Sequence, residues 1–236
     1  MAESAGAAVA TAPVERLVAI FHTDAAWRAR LVEAAEIIGA GHACCHDAGE
    51  WVRRLRQPGA VGVVADPLDA GAKDALAELD AAAAEPPLVV VDSSDKPTGA
   101  PRPSAWRVLS GGARLDMVSL VLREATDEAL RRASDRRAVE AYYRDAARLS
   151  DDERTVMAAV CAGKLNKQIA RDLGVSVRTV EQRRRRVFSK MAVDSAVPLA
   201  SRVATVRTIE RFRPKLRQRL QHAAAAGADP PKLAFT

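Results

Sequence analysis

The residues best placed to do chemistry lie between positions 176 and 191. Read as a helix at about 100° per residue, this stretch puts Val180, Val187 and Met191 on one side. Arg178, Glu181, Gln182, Arg185 and Ser189 fall on the opposite side, flanked by Thr179, Arg186 and Lys190. Arginine and glutamine forks match guanine and adenine edges in a DNA major groove, and Lys and Arg neutralise phosphates. Arg183 to Arg186 are consecutive, so they cannot all share one face. Two or three are expected at DNA, and the bland alternative is a solvated charge run. Arg184 falls on the apolar side, where it needs a carboxylate, and Glu153 is the expected partner.

Such a helix needs a scaffold. Ser150 is a good N-cap, and Asp151, Asp152 and Glu153 suit a helix N-terminus. Val156, Met157, Val160 and Cys161 then recur at helical spacing, and Gly163 stops the run. Asn166 is expected to cap a second helix whose apolar face is Ile169, Ala170 and Leu173, with Gly174 as its stop. Two short helices, a tight turn and a groove-reading helix make a helix-turn-helix. A fourth helix begins at Asp194 or Ser195, tolerates Pro198 in its first turn, and carries Leu199, Val203, Val206 and Ile209 as a stripe.

The first half carries different chemistry. Strands are expected at 16–21, 42–46, 60–65, 88–91 and 105–109, and helices from Asp24, at 48–56 and at 72–84. Trp27, Leu31, Ala34, Ala35 and Ile38 mark the first helix's apolar face. Strands alternating with helices imply a parallel sheet covered on both faces. Asp24, Asp66 and Asp92 then gather where the strands end, a crevice in which ligands sit in open sheets. His42, Cys44 and His46 would share a strand face, which allows a metal site. The competing reading is an ordinary strand with buried cysteines, and no metal or cofactor is assigned. Residues 93–104, with prolines at 97, 101 and 103, cannot be a helix. A long helical tract follows over 114–148, its stripe marked by Leu115, Val118, Leu122, Ala125 and Ala129. Tyr142 and Tyr143 are expected where the tract meets the helix-turn-helix.

Charge divides the chain in the same places. Residues 1–112 hold 10 basic and 15 acidic residues, 113–148 hold 8 and 7, and 149–236 hold 18 and 8. Only the last segment is suited to nucleic acid. No apolar run is long enough to span a membrane. Residues 1–13 do not read as a signal peptide. Three cysteines, two adjacent, make no disulfide framework, so a cytoplasmic, nucleoid-associated protein is expected. No nucleophile–base set, phosphate loop or cofactor fingerprint is present, which argues against an enzyme. The divisions expected are 14–112, 113–148, 149–211 and a basic tail at 212–236; residues 1–13 and 223–236 are expected to be disordered.

The motif Glu153, Asn166-Lys167-Gln168-Ile169-Ala170, Ser176-Val177-Arg178-Thr179-Val180-Glu181, Lys190-Met191 resembles the DNA-binding domain of the LuxR/FixJ family. Where that family has Val-His-Arg after the Glu, this chain has Gln182-Arg183-Arg184. The resemblance implies DNA contact through Asn166, Lys167, Arg178, Thr179, Glu181, Gln182, Arg183, Arg185, Arg186 and Lys190. It also implies a homodimer joined through Leu199, Val203 and Val206, on double-stranded DNA with an inverted-repeat operator. The alternative is that this helix only packs on its own domain.

The first half resembles a receiver domain in the order of its elements. Together the two resemblances imply a doubly wound five-stranded parallel sheet of receiver-like α/β type, with its fourth helix missing. A long linker helix and an all-α four-helix helix-turn-helix domain follow. Asp66 stands at the phosphoacceptor position, but His22 and Thr23 replace the acid pair, Asp92 the hydroxyl and Gly111 the Lys. Phosphorylating a carboxylate needs a cation against the incoming charge. The expectation is therefore a bacterial transcription regulator with a pseudo-receiver, its control passing to a partner protein or small ligand. The alternative is a two-component response regulator phosphorylated on Asp66.

Overall fold

The computed structural model describes residues 15–65, 70–81, 86–92 and 107–213. The expectations for residues 1–13, Asp66, the proline-rich loop, the missing fourth helix, Ala105 and the basic tail beyond residue 213 lie outside them. The chain divides into two units between Ala133 and Ser134.

The first unit is built on five parallel strands, β1 (Leu17–Phe21), β2 (Gly41–Cys44), β3 (Ala60–Ala65), β4 (Leu88–Asp92) and β5 (Arg107–Ser110), in the order β2-β1-β3-β4-β5. The period-2 alternation of a strand separates two cores. Val18, Ile20, Val61, Val63, Val89 and Val91 pack under α1 (Ala25–Ile37) and the start of α4 (Leu115–Ala146). Ala19, Val64, Leu88 and Val90 pack under α2 (Ala48–Leu55) and α3 (Ala70–Ala81). This is the doubly wound sheet the alternating pattern implies. Gly62 makes close packing possible on the second face: a Cβ there would meet Leu88 Cδ2 at 2.6 Å and Trp51 Cζ2 at 2.8 Å. Trp51 is held there by Nε1 donating to Ala19 O at 2.9 Å.

Strand limits differ from the sequence reading by one residue at β1 and β4, and also at β2 and β5. β2 stops at Cys44, because Cys45 and His46 lead into the Asp47 cap of α2. β5 runs on to Ser110 and turns at Gly111, where Ala113 N–H donates to Ser110 O.

The second unit contains the end of α4, then α5 (Asp151–Cys161), α6 (Asn166–Leu173), α7 (Val177–Lys190) and α8 (Ala196–Phe212). Val139, Tyr142, Ala146 and Leu149 join Met157, Ile169, Val180, Val187, Met191 and Leu199 in one core. Tyr142 and Tyr143 meet edge to face as part of it. Burial pushes the Tyr142 hydroxyl up to about 12. No helix among the described residues is long and apolar enough to cross a membrane.

Candidate nucleic-acid interface

Local chemistry sets the frame of the helix-turn-helix. Ser150 Oγ accepts from Glu153 N–H while Glu153 Oε2 accepts from Ser150 N–H at 2.9 Å, a capping box that fixes where α5 begins. Ser176 Oγ accepts from Thr179 N–H and starts α7. Gly163 (φ 78°) and Gly174 (φ 63°) close α5 and α6 in the left-handed conformation. Asn166 is not the cap of α6. Leu165 takes that place, its N–H donating to Gln168 Oε1 at 2.8 Å, and Asn166 is the first helical residue. Its side chain is used elsewhere.

With Val180, Val187 and Met191 buried, α7 turns Arg178, Glu181, Gln182, Arg185, Arg186 and Ser189 to the surface. Among the described residues, the side chains of Arg178, Glu181, Gln182, Arg185 and Arg186 have no hydrogen-bond or ion-pair partner. Lys167, exposed on the first turn of α6, is in the same state.

The flanking cations differ. Arg183 is hydrogen-bonded to Asp152, and Lys190 Nζ donates to Glu153 Oε2 at 2.6 Å. Arg184 does not pair with Glu153; it donates to Asn166 Oδ1 and lies over the Phe188 ring, 5.4 Å from its centroid. Glu153 belongs to Lys190 because Lys190 comes one to two turns later on α7, against the start of α5. Burial would raise the Glu153 carboxyl, but hydrogen bonds from Lys190 and Ser150 outweigh it and hold the group below its ordinary value. Thr179 is half-buried, its hydroxyl 2.8 Å from that of Ser176. Of the residues expected at DNA, Lys167, Arg178, Glu181, Gln182, Arg185 and Arg186 thus form an uncommitted set, and Asn166, Arg183 and Lys190 are engaged within the domain. Helical spacing separates the two groups only in part, because the partners of Arg183, Asn166 and Lys190 lie 18 to 37 residues away.

α8 also corrects the sequence reading. Leu199, Val203 and Val206 are 0%, 4% and 3% exposed, so they face their own domain rather than a second copy. The outward side carries Val197, Ser201, Ala204, Thr205, Thr208 and Phe212. On its inner flank Arg202 donates to Asp145 Oδ2 at 2.7 Å, and Tyr143 is hydrogen-bonded to Glu210.

In the first unit a crevice of about 270 Å³ opens where β1, β2 and β3 end. His22, Thr23, Arg28, Cys45 and His46 line it with Phe21, Ala65 and Ala72. Asp24 and Asp92, expected there, do not. Asp24 Oδ1 accepts from Ala26 N–H at 2.7 Å and Trp27 N–H at 3.0 Å, and these bonds hold its carboxyl below the usual range. Asp92 is 3% exposed at the end of β4. The Arg28 guanidinium donates to the carbonyls of His22 and Thr23 at 2.8 and 2.6 Å. The His42, Cys44 and His46 cluster does not form a metal site, since β2 ends before His46, and burial pushes the neighbouring Cys45 thiol up to about 11. Among the described residues no three His, Cys, Asp or Glu side chains are grouped to hold a metal ion.

The family model for bacterial regulatory proteins of the luxR family matches residues 147–203. No curated protein matches the chain. Among solved structures, the response regulator StyR is 20% identical over 80% of this chain and 98% of its own, with a TM-score of 0.61. Full-length FixJ from B. japonicum is 23% identical over 83% and 99%, at 0.42. RcsB in a DNA complex is 15% identical over 81% and 99%, at 0.33. The StyR match shows a common fold. Residues 147–203 are thus a LuxR-type helix-turn-helix DNA-binding domain, following in sequence a domain of receiver-like fold.

Proposed function

We propose that the chain is a sequence-specific transcription regulator that inserts α7 into the DNA major groove and does so without phosphorylation of Asp66. The observation that carries the DNA-binding reading is the division of cations on α7. Arg183, Arg184 and Lys190 brace the domain, while Arg178, Arg185 and Arg186 stand exposed and uncommitted beside Gln182. In this reading Gln182 and Arg185 meet base edges. Arg186 and Lys167 meet phosphates, Lys167 from the first turn of α6.

Phosphorylation independence rests on Asp24. It is the one acid in the His22-Thr23-Asp24 turn after β1, and its Oδ1 is held by the amides of α1. A divalent cation against Asp66 would find one acid instead of a pair, with one of its two oxygens already held by the cap. No phosphate contact then biases one state of the domain over another.

The second copy in a dimer meets the outward side of α8, through Val197, Ala204, Thr208 and Phe212. Two recognition helices related by a two-fold axis require an inverted repeat with half-sites about 10–10.5 bp apart. The test is to recover bound fragments from a genomic library with the purified full-length protein, then titrate one against its shuffled sequence. A preference of about 10³ or more is expected. Equal affinity for both duplexes would overturn the reading.

A further inference from the structure

The fold also constrains which bases are read. Counted at about 100° per residue, Arg178, Gln182, Arg185 and Ser189 lie within about 60° of one line along α7. Glu181 and Arg186 stand to either side of that line. A helix lying in a groove turns its central line to the base edges and its flanks to the sugar–phosphate walls. Arg178 sits in the first turn, beside the Ser176 cap, and Ser189 in the last. The centre of the line is therefore Gln182 and Arg185.

Both side chains are exposed, and among the described residues neither has a partner inside the protein. Their chemistry differs. The Gln182 amide offers one acceptor and a two-hydrogen donor, the complement of adenine N6 and N7. The Arg185 guanidinium offers donors only, the complement of guanine O6 and N7. Three residues of helix advance about 4.5 Å. Successive base pairs are about 3.4 Å apart.

We propose that each half-site contains an adenine read by Gln182 and, one or two base pairs away, a guanine read by Arg185. The four-arginine run then contributes a single base contact, since Arg183 and Arg184 are held by Asp152 and Asn166 and Arg186 lies on a flank. The assignment rests on the proposed function, because it requires α7 to enter the groove.

The experiment is selection from a randomised duplex pool with the full-length protein, followed by sequencing, for wild type, Gln182→Ala, Gln182→Glu and Arg185→Ala. The selected wild-type site should hold an A and a G one or two positions apart. Gln182→Ala should flatten the A column alone, with about a fivefold to hundredfold loss on the wild-type site, and Arg185→Ala the G column alone. Gln182→Glu should turn the A column toward C, because a carboxylate accepts from the cytosine amino group. That gain of a new preference cannot come from a misfolded variant. A wild-type motif that survives all three variants, or one that loses other columns, would overturn this assignment and leave the proposed function standing. A wild type that selects no motif would overturn both.

Discussion

Lys190 offers the clearest separation between a structural and a DNA-contacting cation. Lys190→Met keeps the aliphatic stem and removes the charge, so no cavity adds to the effect. Among the described residues it leaves Glu153, whose side chain is 5% exposed, with Ser150 as its remaining partner; Lys190 itself is 32% exposed. Exposed ion pairs contribute about 0.2–1 kcal/mol, and breaking a buried one costs about 3–5. With one partner buried and the other a third exposed, about 2 kcal/mol is expected at neutral pH. The effect has a pH signature. Glu153 is held below its ordinary 4.5 in the folded domain, so its contribution is present above that value and lost as pH falls through the lowered one. The gap between wild type and Lys190→Met should therefore narrow in acid. The three tryptophans all precede residue 113, so tryptophan fluorescence follows the first unit. Amide hydrogen exchange in α5 and α7 follows the second. A variant within about 0.5 kcal/mol of wild type, with a DNA-binding salt slope lowered by about one, would refute the reasoning and make Lys190 a phosphate contact.

Other outcomes follow from the same geometry. Lys167→Ala and Arg186→Ala should each weaken all DNA sequences alike and lower the slope of log affinity against log salt by about one, measured by titration at several salt concentrations. Leu199→Asp should cost at least about 3 kcal/mol in chemical denaturation, because it buries a charge in the domain's own core. Val197→Glu and Thr208→Glu, on the outward side of α8, should leave stability intact and lower affinity for a full inverted repeat but not for a half-site. Gly62→Ala should destabilise the first unit by about 1–3 kcal/mol, read by tryptophan fluorescence, since its Cβ would collide with Leu88 and Trp51.

Most of what depends on near neighbours was legible in the sequence, the cap of α6 at Leu165 instead of Asn166 being the exception. The Ser150 and Ser176 caps, the Gly163 and Gly174 stops and the buried runs of β3 and β4 act over a few residues and stand where expected. Pairing across the fold was not legible. Arg184 needed a partner, but choosing Asn166 over Glu153 depends on where α6 and α5 cross α7. The stripe on α8 was visible, yet an apolar stripe at helical spacing looks the same whether it faces a core or a second copy. Only burial tells them apart, and it gives Leu199, Val203 and Val206 to the core. Asp24 was visible as an acid after β1, but its use as a cap depends on the two amides that meet it.

We propose that sequence-specific DNA binding here needs no phosphate on the receiver-like domain. The direct measurement incubates the purified full-length protein with Mg²⁺ and a small phosphodonor, and reads its mass and its affinity for the selected operator, alongside Asp66→Asn. No added phosphate is expected, and the same operator affinity for treated protein, untreated protein and Asp66→Asn. A stoichiometric phosphate on Asp66, with a change in affinity of tenfold or more, about 1.4 kcal/mol of coupling, would contradict it.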